Sequence, residues 1–415
     1  MGTAVGSRPR LGLTRDLNTA IGETPQRTDW PGVFFALSIG VLAAYQQFKL
    51  PPVLPLLSEN YGYDRLLAGG LMSAYAVAGL LLSIGVGRVL DSARGRWVVG
   101  SAFPLFLLGN AVCLAVPEIG TAMLGGRVLE GAGLAVISVA GPALAAQAAA
   151  PKDKPLAIAL WATWMPIGQA MANLMAVPVL EDAQWTPLWW LAVALTVTIG
   201  AWALKRLSRA PAAPTVAAPP RTGTGKPSLS LPVILSSLTF MLWTVQYLAF
   251  TTWLPTFLVE ERGLSLAEAA LSQTISPLVL IPFNLLAGAL VARGRSLPWL
   301  LAGSLVAQGL VWGIGPFVTG PAGFILLAIW GAAAGITATC LFSLPVALSS
   351  GAGASQAFGV LMTGRNVGVL VGPVLLAQAL ALWTRWSLSA QPFMAFSIVA
   401  AMGALWIGRY LRPLR

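Results

Sequence analysis

Four ionisable residues stand in otherwise apolar stretches of the chain: Lys49, Arg127, Glu130 and Arg365. At the centre of a bilayer-spanning helix each costs ~2.5–3.5 kcal/mol, so four together cost on the order of 10 kcal/mol, comparable to the stability of a whole domain. They must therefore face one another or a wet cavity. Three cations against one carboxylate leave +2. A cavity with that balance suits an anion, because the ligand completes the charge. Arg365 lies some ten residues from either end of its apolar run, after Met362-Thr363-Gly364 and before Asn366. Its guanidinium fork binds two oxygens of a carboxylate-like group. Tyr45 and Gln46 precede Lys49 by four and three residues and share its helical face, as Arg127 and Glu130 share one at i, i+3. Glu130 is the one acid inside these runs. Protonating it takes the sum from +2 to +3 and favours an anion, which is a physical route to anion–proton symport.

Other chemistries are excluded by what the chain lacks. There is no histidine to carry a proton or ligate a metal, and the two cysteines, Cys113 and Cys340, lie in apolar runs where neither a disulfide framework nor a metal site is expected. No cofactor is expected, and no nucleophile–base pair has the spacing of an enzyme. Hydrophobic residues make up 57% and charged residues 9%, against roughly 25% charged in a soluble domain. The net charge of +11 therefore speaks for cytoplasmic loops of a membrane protein rather than for nucleic acid.

The elements that position these residues are twelve apolar runs: 31–57, 66–90, 97–116, 120–148, 155–180, 187–205, 231–258, 266–291, 297–318, 320–349, 355–384 and 388–410. About 20 residues of helix cross ~30 Å of hydrocarbon, and runs this long are helices rather than strands. Pro51, Pro52, Pro55, Pro166, Pro178, Pro345 and Pro373 fall inside them and predict bent helices beside a cavity. With the N-terminus inside, the loops and tails on the cytoplasmic side hold nineteen of the 25 basic residues, and the outer loops hold only Arg65, Arg262 and Arg385. That asymmetry predicts a multi-pass membrane protein with both termini cytoplasmic; the expected location is a bacterial inner membrane. Residues 1–30, polar and with four arginines, read as a cytoplasmic tail rather than a signal peptide.

The stretch 206–230 is basic and rich in Pro, Ala and Gly, the composition of an extended linker. It separates two similar halves, 31–205 and 231–410, with a short tail at 411–415. Leu54-Pro55 recurs as Leu254-Pro255, Gln46 as Gln246, Gly87 as Gly288, Gly131 as Gly331 and Gly168 as Gly368. Parallel repeats of membrane helices are a transporter architecture, with substrate held between the halves. Arg365 has Met165 at its counterpart position and Lys49 has Ala249, so the cations are additions to the repeated scaffold.

The loop after the second run reads Gly87-Arg88-Val89-Leu90-Asp91-Ser92-Ala93-Arg94-Gly95-Arg96, and the fourth run opens Gly126-Arg127-Val128-Leu129-Glu130-Gly131-Ala132-Gly133. The first resembles the Gly-x-x-x-Asp-Arg-x-Gly-Arg-Arg loop of the major facilitator superfamily, with Ser92 in place of the first Arg. The second is similar to that superfamily's Arg-x-x-Gln-Gly-x-Gly motif, with Glu130 in place of Gln. Gly359, Gly368, Gly372 and Pro373 match part of a glycine pattern that antiporters carry in helix 5, here in helix 11. The resemblance spans residues 31–410 and looks most like the cyanate-permease-type group of bacterial carriers. It implies an all-α membrane protein of twelve transmembrane helices in two pseudo-symmetric six-helix bundles, working by alternating access as a monomer in the lipid bilayer. On this reading Arg365 and Lys49 clamp a small anion with Arg127 in support. Tyr45, Gln46, Gln246, Asn366 and Trp164 line the site, and Glu130 couples a proton. Gly87, Asp91, Arg94 and Arg96 form the gating motif. The alternatives are a multidrug or metabolite exporter of the same superfamily, which predicts an acidic aromatic cavity, and a transporter-like receptor.

Overall fold

The computed structural model describes residues 27–90, 95–209, 230–348 and 352–411. Asp91 and Arg94 of the loop motif, most of the linker, and nearly all of both tails lie outside the described residues. Gly87 falls in the last turn of the helix Arg65–Leu90 and Arg96 in the first turn of the helix Gly95–Ala115.

The described residues form fifteen α-helices and no strand. The first half holds α1 (Trp30–Phe48), α2 (Leu50–Tyr61), α3 (Arg65–Leu90), α4 (Gly95–Ala115), α5 (Gly120–Ala148), α6 (Lys154–Ala162), α7 (Trp164–Glu181) and α8 (Thr186–Arg209). The second holds α9 (Leu231–Arg262), α10 (Leu266–Gln273), α11 (Ile275–Ala292), α12 (Leu297–Ile314), α13 (Pro321–Leu348), α14 (Ala352–Trp383) and α15 (Trp386–Ile407). Ten helices or continuous helix pairs among the described residues are long and apolar enough to cross a membrane. With α3 and the pair α6–α7 they make the twelve crossings expected.

Three crossings are interrupted at one residue that keeps right-handed helical dihedrals: α1–α2 at Lys49, α6–α7 at Thr163 and α10–α11 at Thr274. Each break is followed within three residues by a proline: Pro51, Pro166 or Pro277. Proline has no N–H for the carbonyl four residues back, and its ring crowds that carbonyl. Pro55, Pro178, Pro345 and Pro373 stay inside their helices.

The halves repeat one packing scheme. In the first, α1 lies on α7 and α3 on α5; in the second, α9 lies on α14 and α11 on α13. The contacts match residue for residue. A Cβ added at Gly168 would meet the Val41 carbonyl at 2.6 Å, and one at Gly368 would meet the Met241 carbonyl at 2.6 Å. Both pairs are related by the same shift of 200. Likewise Gly131 seats on the Tyr75 backbone and Gly331 on that of Ser276. Small residues let these backbones touch, as membrane helices need in the absence of a hydrophobic drive between them.

Between the halves, α3 packs on α14, α7 on α10 and α11, and α2 on α9. Contacts concentrate at the end of the bundle away from the termini. There Arg65 pairs with Glu260 at 3.1 Å, and the Trp386 indole donates to the same carboxylate at 3.0 Å. Trp253 Nε1 donates to the Pro373 carbonyl at 2.9 Å, and Gly69 seats on that carbonyl too. That end is closed.

The glycine contacts make a paired prediction for thermal unfolding in detergent. Gly368→Ala should destabilise by about 1–3 kcal/mol through overpacking against α9. Gly303→Ala, in mid-α12 with nothing within 4 Å of the new methyl, should be neutral or up to ~1 kcal/mol stabilising. Equal effects of the two would refute the backbone contact.

Candidate functional site

The break at Lys49 creates the first half's polar centre. Pro51 cannot donate to the Gln47 carbonyl, and Arg127 from α5 does so instead: NH2 reaches Gln47 O at 2.9 Å and NH1 reaches Gln46 O at 2.9 Å. Its Nε donates to the Leu71 carbonyl at 3.3 Å. The guanidinium thus serves as a C-cap for α1, satisfying the carbonyls a helix end leaves free. Its charge is met by Glu130 at 2.5 Å, one turn along the same helix.

The other Glu130 oxygen accepts from Lys49 Nζ at 2.8 Å. Lys49 also donates to Gln46 Oε1 at 2.6 Å and Asn110 Oδ1 at 2.5 Å, which uses all three of its hydrogens. Tyr75 donates to Glu130 at 3.2 Å, and its ring lies 4.2 Å from the Arg127 guanidinium. Lys49, Arg127, Glu130, Gln46 and Asn110 are all 0% exposed. The cluster is closed and saturated, with two cations sharing one carboxylate. In this conformation Lys49 and Arg127 hold protein groups and do not open onto a space between the halves.

The structure therefore brings Lys49, Arg127, Glu130 and Gln46 together and leaves the other candidates apart. Tyr45 is buried and donates to the Leu188 carbonyl at 3.1 Å, away from Lys49. Trp164 packs beside Trp161 and over Gly40. Gln246 sits in the second half's uncharged counterpart of the cluster, where its amide donates to Gln308 at 3.1 Å and its oxygen accepts from Trp312 at 2.8 Å.

Arg365 and Asn366 belong to α14. Gly364, Gly368 and Gly372 press against α9, while Pro373 and Ala377 meet Gly69 of α3. Arg365 falls between these two faces, in line with buried Leu361, Val369 and Leu376, so it is directed into the seam where the halves meet. It is half-buried, and its one side-chain hydrogen bond among the described residues runs to Asn366 Oδ1 at 3.1 Å. No described carboxylate pairs with it.

Tyr247 is among the polar groups on the same seam, and Gln169, Asn173 and Gln273 there are ones that sequence reasoning misses. Tyr247 of α9 donates to Gln169 of α7 at 3.3 Å, a bond between the halves. One turn along α7, Asn173 is 1% exposed, and neither its oxygen nor its nitrogen has a partner among the described residues. Gln273 donates to Thr251 O at 2.5 Å, the carbonyl that Pro255 leaves free, and its own oxygen is unpaired. Asn110 and Tyr75 complete the charged cluster. Amides within apolar runs were the available signal, since a buried amide is costly unless bonded.

A family model described as Major Facilitator Superfamily matches residues 36–373. The chain belongs to the major facilitator superfamily. Solved members with the same fold include a bacterial homolog of the human lysosomal transporter Spinster in an inward-facing, occupied conformation. It is 14% identical at a TM-score of 0.74, over 91% of this chain and 96% of that one. The nucleoside transporter NupG is 17% identical at 0.70, over 91% and 99%. A D-xylose-proton symporter is 16% identical at 0.69, over 92% and 97%. Among curated proteins no relative matches. The coarse reading of the sequence, a multi-pass membrane transporter rather than an enzyme, rests on this superfamily match.

The cluster predicts an ordered set of stabilities. Glu130→Gln leaves two adjacent buried cations without a counter-charge and should cost about 3–5 kcal/mol. Lys49→Met leaves the Arg127–Glu130 pair intact and should cost clearly less. Adding Lys49→Met to Glu130→Gln should restore part of the loss, because a single cation held by carbonyls remains. Thermal melts of the three purified variants would check the order, and additive losses in the double variant would refute a shared network.

Proposed function

We propose that this superfamily member is a secondary transporter for a small organic or inorganic anion, with Arg365 as the group that meets the anion's charge. The observation that carries the proposal is Arg365 itself: a half-buried guanidinium in the seam between the halves, with an amide neighbour and no described carboxylate. A cation so placed is costly until something negative joins it. The fork of donors matches two oxygens of a carboxylate or similar anion. Lys49 and Arg127 then act at a distance, by holding Glu130. A proton on Glu130 would cancel the one charge that balances them, which makes it the candidate coupling group for proton symport. The name of the D-xylose-proton symporter fits that coupling. The closed end, on this reading, faces outward, and both termini are cytoplasmic. Kinship with the cyanate-permease-type carriers belongs to the same proposal.

A second reading is a neutral, hydrogen-bonding solute. Asn173 favours it, with both amide atoms unpartnered on the seam, and NupG and the xylose symporter are named for uncharged substrates.

One screen separates the two. The detergent-purified protein would be melted with cyanate, nitrate, mono- and dicarboxylates, and with sugars and nucleosides. A ligand at 100 times its Kd raises stability by about 2.7 kcal/mol. The anion reading expects one anion class to stabilise the wild type, Arg365→Lys to weaken that binding at least tenfold, and Arg365→Ala to abolish it. Stabilisation by neutral solutes, lost in Asn173→Ala and kept in Arg365→Ala, would replace it with the second reading.

In proteoliposomes, Glu130→Gln should lose accumulation driven by a pH gradient while keeping counterflow exchange of the stabilising ligand. Gradient-driven accumulation at the wild-type level would remove Glu130 from the coupling role.

A further inference from the structure

The second half contains a cavity of about 400 Å³, away from Arg365 and from the charged cluster. Six aromatic side chains dominate its wall: Phe250, Trp253 and Phe257 of α9, Trp312 of α12, Phe324 of α13 and Trp386 of α15. Its size falls in the ~300–1,000 Å³ range of small-molecule sites, which are likewise mostly apolar with a few polar groups at one edge.

The repeat explains why the space exists. Ala249 lines the cavity where the first half has Lys49, and Leu327 lines it where the first half has Arg127. The long cationic chains that fill the first bundle are replaced by short apolar ones. Trp330, at the position of Glu130, stacks on Phe250 at 3.8 Å and closes the inner wall. The cell that is ionic in one half is an aromatic chamber in the other.

The mouth indicates where a ligand comes from. The loop from Gly315 to Pro321, between α12 and α13, borders the cavity, and Arg262 braces it by donating to the Gly315 and Pro316 carbonyls at 2.9 Å each. Phe324 both lines the cavity and is 43% exposed, and beside it Phe317 is 68% and Ile325 61% exposed on the outside of a membrane-spanning bundle. Such a rim faces lipid rather than water. Glu261 and Arg262 stand at the same edge and offer one charge of each sign to a polar head.

We propose that this chamber binds one alkyl chain of a membrane amphiphile, drawn from the surrounding bilayer, with the head left at the Glu261–Arg262 edge. The proposal does not rest on the transport reading above. An alkyl chain is the shared chemistry of two sources, a free fatty acid and a phospholipid.

The protein would be reconstituted into phosphatidylcholine vesicles with either a fatty acid carrying a mid-chain diazirine or a phosphatidylcholine carrying the same group on one chain. Irradiation and peptide mapping then locate the adducts. The expected result, from either arm, is adducts on Trp253, Phe257 or Trp312 that are lost with excess unlabelled fatty acid or phospholipid of the same chain length. The arm that gives them names the source. Cavity adducts should also be lost in Ala249→Leu, or in Ala390→Leu should the first variant fail to fold. Adducts confined to the lipid-exposed Phe317, Ile325 and Leu382 in both arms, or interior adducts that survive competitor, would overturn the proposal.

Discussion

A carbonyl left without a donor inside hydrocarbon must find one, and much of this structure follows from that constraint. Pro51 strands the Gln47 carbonyl in the middle of the first crossing, and Arg127 reaches across from α5 to take it. A guanidinium brought there needs a counter-charge, which Glu130 supplies. Glu130 has a second oxygen, and Lys49 occupies it at the point where the helix breaks. Asn110, Gln46 and Tyr75 then absorb the remaining hydrogens and lone pairs. Each member is present because the previous one would otherwise be unsatisfied, so the network is sensitive to the loss of any one. The second half meets the same constraint without charge: Pro255 strands the Thr251 carbonyl, and Gln273 donates to it.

The two halves thus share a frame and differ in filling. Backbone contacts at Gly168 and Gly368 repeat at a fixed shift, as do those at Gly131 and Gly331 within one residue. Around that frame the first half carries Lys49, Arg127 and Glu130, and the second carries Ala249, Leu327 and Trp330 at the matching positions. One core is bound by ion pairs and amides, the other by ring stacking and a neutral network of Gln246, Gln308, Trp243 and Trp312. The charged chains fill the first core, whereas the second keeps a chamber among its rings.

The sequence carried the fold almost completely. Apolar run lengths, the shift of 200 and the loop motif each reflect a strong physical demand: spanning hydrocarbon, repeating a packing surface, placing charge in water. What it conveyed poorly was which intramembrane charges meet. Arg127 and Glu130 were readable as one helical face, but the approach of Lys49 to them depends on the break at Pro51 and on three separate helices packing closely. The prolines are legible as irregularities, while how far each opens its helix depends on neighbours such as Arg127 that donate to the freed carbonyls. Asn173 and Gln273 passed unremarked because a neutral amide perturbs hydropathy little. Only the tertiary structure shows whether it is bonded.

The separation of the charged cluster from the seam bears on how such a protein moves. Rocking of two bundles about a central site breaks contacts between halves and keeps those within them. The polar contacts between halves among the described residues are individually weak: an exposed Arg65–Glu260 pair, worth ~0–1 kcal/mol, and the Tyr247–Gln169 bond at 3.3 Å; packing of α3 on α14, α7 on α10 and α2 on α9 accompanies them. Neutral hydrogen bonds of this kind contribute about 0.5–1.5 kcal/mol each. The Lys49–Glu130–Arg127 network lies wholly inside one half, where breaking it would cost several times more. A motion that keeps the first half rigid would leave that network intact. Arg365 stands on that seam, so a charge bound there would touch both halves.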